Sequence, residues 1–267
     1  MRYFTADQCL KIDALINSLR ALALCVDQID CDCVRRNVDA AYAAHELSPP
    51  ELVFCSSPGD AICKIQTCAP PPLTNGLQDS VSLDELLTRE PSLGDFIQLM
   101  RSAHSQCWPR LGEEVDLAFS QIEFMATDPH ALHPLWSPLA SRLERKLMCL
   151  GDLSYAVRET LEKLVSIKEN EWLLSTQGSA TLWGTFFSAA PLMALVSLGI
   201  APRLPRECEL GHSALASCCW LFSFERICFV CERPQVISHP ALCIDSVPGQ
   251  ILLSWRDGFA SSSSLNS

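Results

Sequence analysis

Cys228 and Cys231 lie three positions apart and are followed by His239 and Cys243. Two thiolates, an imidazole and a third thiolate are enough to close a tetrahedral zinc shell. The spacing matches no common zinc finger, and the competing reading, two core thiols in an apolar strand, carries more weight. The sequence therefore requires no cofactor, and zinc is the one it raises. Cys25, Asp27, Asp30, Cys31, Asp32 and Cys33 also place thiols beside carboxylates. Neighbouring negative charge raises a thiol pKa and weakens the nucleophile, so this segment reads as a helix end followed by a polar turn.

His130 and His133, at i and i+3 near a helix start, share a face and could grip one metal. No Glu follows them, and Pro129 and Pro134 flank them, so cap or surface residues are the simpler reading. Gly211-His212-Ser213-Ala214-Leu215 approaches the G-x-S-x-G nucleophile elbow but lacks its second glycine, which leaves Ser213 as a helix-start residue. Neither a Walker loop nor G-x-G-x-x-G occurs, so a nucleotide cofactor has no anchor.

The elements that must position these residues follow from periodicity and punctuation. Thr5-Ala6-Asp7-Gln8 has capping-box spacing, and Ile12, Leu15, Leu19, Leu22 and Val26 follow at helical intervals, predicting a helix over 6–27. A second helix runs to about Leu47, where Pro49-Pro50 stops it. Leu52-Val53-Phe54-Cys55 then reads as a strand, and Ser57-Pro58 opens another helix. Residues 68–80, with three prolines and Asn75-Gly76, read as an internal linker. Helices are expected at 82–88, 92–106, 111–126, 129–150 and 152–174, with Gly151 closing the fourth. Further strands are expected from Phe224 to Val230 and from Ile251 to Trp255. The fold expected is α+β, mainly helical, with a small antiparallel β element near the C-terminus. It forms a single domain over 1–260, with a disordered tail over 261–267.

Composition limits the function classes. With 48% apolar and 19% charged residues the chain has the make-up of a folded globule, and a net charge of -11 without a Lys/Arg cluster argues against nucleic acid and anionic lipid as partners. The amino terminus carries no apolar run of signal-peptide length. Fifteen cysteines, an odd number spread along the chain, then read as reduced thiols in the cytoplasm rather than as a disulfide framework. Residues 172–202 contain no charge, and a membrane anchor through 180–200 is the rival to a soluble chain. Gly178, Gly184 and Pro191 favour a buried core helix broken at Pro191.

Ala41-Tyr42 through Leu47, Pro49-Pro50, Val53 and Ser57-Pro58 resemble the helix, proline-pair and strand pattern of a bacterial family of unknown function. Phe224-Glu225-Arg226-Ile227-Cys228, Glu232-Arg233-Pro234 and Trp255-Arg256-Asp257-Gly258 are similar to that family's aromatic, E-R-P and W-P-D-G signatures. Trp183 to Phe187 sits where the family carries an aromatic helix. Phe222 and Ser223 stand where Trp and Pro are expected, Glu46 where Gly is expected, and Arg256 where Pro is expected. The family continues past the W-P-D-G turn into one more strand, whereas ASSSSLNS follows here, so this copy reads as divergent and truncated. The resemblance implies a soluble bacterial protein and brings no activity with it. It also implies that Ser can replace Cys231, which counts against zinc.

Glu232-Arg233 following a strand could fix the turn at Pro234, with the Arg233 fork on a buried carboxylate such as Asp257. In the functional version Arg233 and Glu232 belong to an anion or ligand pocket roofed by Trp220 and Trp255. With no complete catalytic constellation, the sequence points to a soluble, non-catalytic binding or interaction module with a protein or small-molecule partner. A zinc-dependent enzyme or zinc-stabilised domain is the alternative.

Overall fold

A computed structural model describes residues 4–44, 46–68, 129–164, 179–199, 206–224, 226–241 and 250–264. The expected linker 68–80, apart from its first residue, and the helices at 82–88, 92–106 and 111–126 lie outside these. The architecture is α+β, as the sequence predicts.

Helix α1 spans Ala6–Ala23. Its capping box forms as read: the Gln8 N–H donates to Thr5 Oγ1 at 3.2 Å and the Thr5 N–H donates to Gln8 Oε1 at 2.9 Å, satisfying two donors that the helix leaves open. Ile12, Ile16, Leu19 and Ala23 form its buried stripe, and the helix ends short of Val26, which is exposed. Helix α2 spans Cys31–Ala44, with Val34, Val38, Ala41 and Tyr42 inward. Asp30 Oδ1 accepts from the Asp32 and Cys33 N–H groups at 3.0 Å each, so the acidic, cysteine-bearing segment is a helix cap. The helix ends before Leu47: Glu46 adopts φ 59°, and the Leu47 N–H turns back to the Tyr42 carbonyl at 3.1 Å.

Strand β1 (Glu51–Cys55) leads into α3 (Pro58–Cys68). Helix α4 runs from Pro129 to Leu164 without a break. It corrects the expectation of two helices parted at Gly151. Leu143, Leu147, Leu150, Leu153, Val157 and Leu161 keep one buried stripe in phase across the glycine. Burying that stripe outweighs the ~1 kcal/mol that a mid-helix glycine costs.

Strand β2 (Ser179–Thr181) passes directly into α5 (Leu182–Ser197), which continues through Pro191 rather than breaking there. Sixteen residues rise about 24 Å, less than the roughly 30 Å of a hydrocarbon core. No helix among the described residues is long and apolar enough to cross a membrane. Trp183, 1% exposed, donates from Nε1 to the Ala23 carbonyl at 3.0 Å and ties α5 to the end of α1. Helix α6 (Arg206–Ala216) follows and packs on α2.

The remaining strands are β3 (Trp220–Ser223), β4 (Ile227–Cys231), β5 (Val236–Ser238), β6 (Gln250–Ser254) and β7 (Ala260–Ser264). Among the described residues two sheets form, β1-β4-β3-β2 and β5-β6-β7. The second is antiparallel throughout, but in the first β1 lies parallel to β4, so the β element is mixed and recruits a strand from the first third of the chain. The tail read as disordered instead supplies β7, whose Ala260 to Ser264 register against Ser254 to Gln250. Ser261, 1% exposed, and Ser263 face α4, accepting from Thr160 Oγ1 at 3.0 Å and donating to Glu159 Oε2 at 3.2 Å respectively. Pairing and these contacts order a polar segment that composition alone assigns to coil.

Candidate functional site

Strands β1 and β4 end together, with Cys55 opposite Cys231, and the Glu232 N–H extends the pairing by one bond to the Cys55 carbonyl at 2.9 Å. The carboxyl ends of parallel strands are where open α/β sheets place their ligands. Here three segments remote in sequence meet: Ser56 to Asp60 after β1, Glu232-Arg233-Pro234 after β4, and the β6–β7 turn from Trp255 to Gly258.

Local chemistry fixes each segment. Ser57, fully buried, accepts the Asp60 N–H at 3.0 Å as N-cap of α3, and Pro58 occupies the first helical position, where no N–H is needed. Gly59 packs under the Phe259 ring so closely that a Cβ there would lie 2.5 Å from Phe259 Cδ2. Gly258 holds φ 90° in the turn, and the Phe259 N–H donates to Asp257 Oδ1 at 3.0 Å. The Trp255 Nε1–H donates to the Glu232 carbonyl at 2.9 Å, and Trp255 packs on Phe259 with ring centroids 5.2 Å apart.

The Ser56 hydroxyl sits 3.0 Å from both Asp60 Oδ2 and Asp257 Oδ2. It carries one proton. Asp60 Oδ2 already receives the Ser56 N–H at 2.9 Å and Lys64 Nζ at 2.9 Å, so the hydroxyl proton is free to serve Asp257. Burial opposes ionisation of Asp60, yet the hydrogen bonds from Lys64 and Ser56 and the charge of Lys64 outweigh it and hold the carboxyl below its usual range. Burial likewise opposes the charge on Lys64, and its hydrogen bond to Asp60 prevails, raising its pKa. Lys64 also donates to the Phe54 carbonyl at 3.0 Å. The Cys55 thiol beside it is pushed up to about 12 by burial, only partly relieved by Lys64.

Of the residues that the sequence proposed for a pocket, Glu232, Trp255 and Asp257 meet at this corner. Arg233 turns away: its guanidinium donates to Cys25 Sγ at 3.0 Å and to the Ala216 carbonyl, at the last residue of α6, where a cation suits the helix dipole. The expected Arg233–Asp257 pair does not form, because the Arg233 fork is spent on Cys25 and Ala216, while Asp257 accepts from Ser56 and Phe259. Trp220, on β3 opposite Cys231, and Trp255 are each 1% exposed, so both are core rings rather than the roof of an opening.

The zinc reading is not assembled by the described residues. Cys228 and Cys231 are three apart on β4 and so face opposite sides of the sheet. His239 accepts the Ala241 N–H on Nδ1 at 3.0 Å and lies with Nε2 3.3 Å from Asp152, which occupies both ring nitrogens. Cys243 lies outside the described residues. Among the described residues no group of three or more His, Cys, Asp or Glu could hold a metal. Burial is the main force raising the thiol pKa of Cys218, Cys219 and Cys231, and for Cys218 and Cys231 neighbouring thiols add to it, so these are packing groups rather than nucleophiles. Ser213 lies inside α6, not at its start, with Oγ donating to the Glu209 carbonyl at 2.8 Å. His130 and His133 fall on α4, and their side chains lie outside the described set.

Sequence reasoning missed Ser56, Asp60 and Lys64. The signal available was local: a serine cap before Pro58, then an acid and a lysine at i and i+4 on one helix face. Nothing local could assign Asp257 to Ser56. A scan against protein-family models and searches of curated proteins and of solved structures found no match to this chain.

Proposed function

We propose that this chain is a non-catalytic interaction module that takes a partner protein presenting Lys or Arg side chains at the corner of Ser56, Asp60, Glu232 and Asp257. One observation carries the reading: two carboxylates, Asp60 and Asp257, share a single serine hydroxyl at 3.0 Å, on a chain of net charge -11. Lys64 neutralises Asp60, which leaves exposed Asp257 as the acceptor for an incoming cation. Lys64 raised and Asp60 lowered hold fixed charge near neutral pH, which suits recognition better than proton transfer. Exposed free thiols at Cys31 and Cys63 support a reducing setting such as the cytoplasm.

The test is fluorescence anisotropy with a labelled lysine- and arginine-rich peptide against a neutral peptide of equal length, at low and high salt. The reading expects tighter, salt-sensitive binding of the basic peptide, weakened by Asp257→Asn. Equal affinity for both peptides sinks it. So does turnover of any ester, amide or phosphoester substrate that disappears in Ser56→Ala.

A further inference from the structure

Sheet edges offer unpaired N–H and C=O groups to other chains, and proteins usually blunt them with proline, lysine or brevity. Four strands are edges among the described residues: β1, β2, β5 and β7. Three of them are blunted. β1 follows Pro49-Pro50, and Lys64 Nζ covers its outward Phe54 carbonyl at 3.0 Å. β2 is three residues long and runs straight into α5. β5 is three residues long and is bracketed by Pro234 and Pro240.

β7 has none of these devices. It is five residues long, Ala-Ser-Ser-Ser-Ser, with neither charge nor proline. The Trp255 N–H bond to the Phe259 carbonyl at 2.9 Å sets the phase of the hairpin. Ser261 and Ser263 therefore spend their backbone groups on β6, and those of Ala260, Ser262 and Ser264 point outward. Ala260 and Ser262 are exposed, and only β6 pairs with β7 among the described residues.

We infer that β7 is a homotypic interface, pairing antiparallel with β7 of a second copy about a two-fold axis at Ser262. The outward residues are self-complementary in that register: Ser262 faces Ser262, and Ala260 faces Ser264 of the other copy. Two chains of net charge -11 repel overall, so the edge that can join them must bring no carboxylates face to face. An uncharged, small-residue strand meets that condition, and a partner chosen by charge would find nothing on it to recognise. The product is a continuous six-stranded sheet with an isologous seam. This inference is independent of the basic-partner reading of the Asp257 corner.

Sedimentation velocity of the full chain across a concentration series tests it, with Ser262→Pro as the decisive variant. The Ser262 N–H is not used within the hairpin, so proline there leaves the β6–β7 ladder intact and removes two reciprocal bonds across the seam. A concentration-dependent dimer is expected, with its dissociation constant raised roughly thirtyfold in Ser262→Pro. Circular dichroism checks that the variant folds. If it does not, Ser262→Lys decides, since it keeps every backbone donor and sets two like charges together at the axis, with salt restoring the dimer. A wild-type chain that stays monomeric overturns the inference, and so does a dimer that both folded variants leave unchanged.

Discussion

The Ser56 hydroxyl lies 3.0 Å from Asp257 Oδ2 across 201 residues of sequence, and this bond fastens the end of β1 to the β6–β7 turn. Ser56→Ala and Asp257→Asn should each lower stability by about 1 kcal/mol. Their double-mutant cycle should show a coupling of about 0.5–1 kcal/mol by urea unfolding. Strict additivity would mean that the bond contributes nothing.

Gly59→Ala places a methyl 2.5 Å from the Phe259 ring and should destabilise by about 1–3 kcal/mol. Combining it with Phe259→Leu should recover part of the loss, measured as the shift in thermal midpoint. A Gly59→Ala protein as stable as wild type would show that the two segments do not meet.

Glu46 holds φ 59°, which glycine adopts without strain. Glu46→Gly should therefore stabilise the folded state by a few tenths to about 1 kcal/mol, even though glycine loses more freedom on folding. Chemical denaturation reads the sign directly, and a destabilised variant contradicts the left-handed turn.

Arg233 acts as a clasp between Cys25 and the end of α6. Arg233→Met should cost about 1–3 kcal/mol. Its double-mutant cycle with Cys25→Ala should be non-zero, and that with Asp257→Asn close to zero. The reverse pattern would restore the pocket that the sequence suggested.

Burial lowers the pKa of His239, partly offset by its hydrogen bond to Asp152 and the charge of that carboxylate, while the charge of Arg20 lowers it further. His212 is lowered by burial alone. Because the folded rings bind protons less readily than the unfolded ones, the unfolded chain takes up more protons as pH drops below about 6.5, and stability falls on the acid side. Unfolding free energies between neutral and mildly acidic pH should show this slope, reduced in His239→Gln. A flat profile over that window would refute the assignment.

The sequence by itself determined what depends on neighbours along the chain. The Thr5–Gln8 capping box, the serine-proline opening of α3 and the α+β class all follow from residues within one or two turns of each other. It also marked the Glu232-Arg233-Pro234 and Trp255-Arg256-Asp257-Gly258 turns without giving their partners. Tertiary structure decided three outcomes. A buried leucine stripe carried α4 through Gly151, pairing with β6 made a strand of four serines, and Arg233 went to Cys25 and α6 while Asp257 went to Ser56. Each depends on which surfaces are buried together and which backbone groups remain to be satisfied there, and that accounting exists only once distant segments meet.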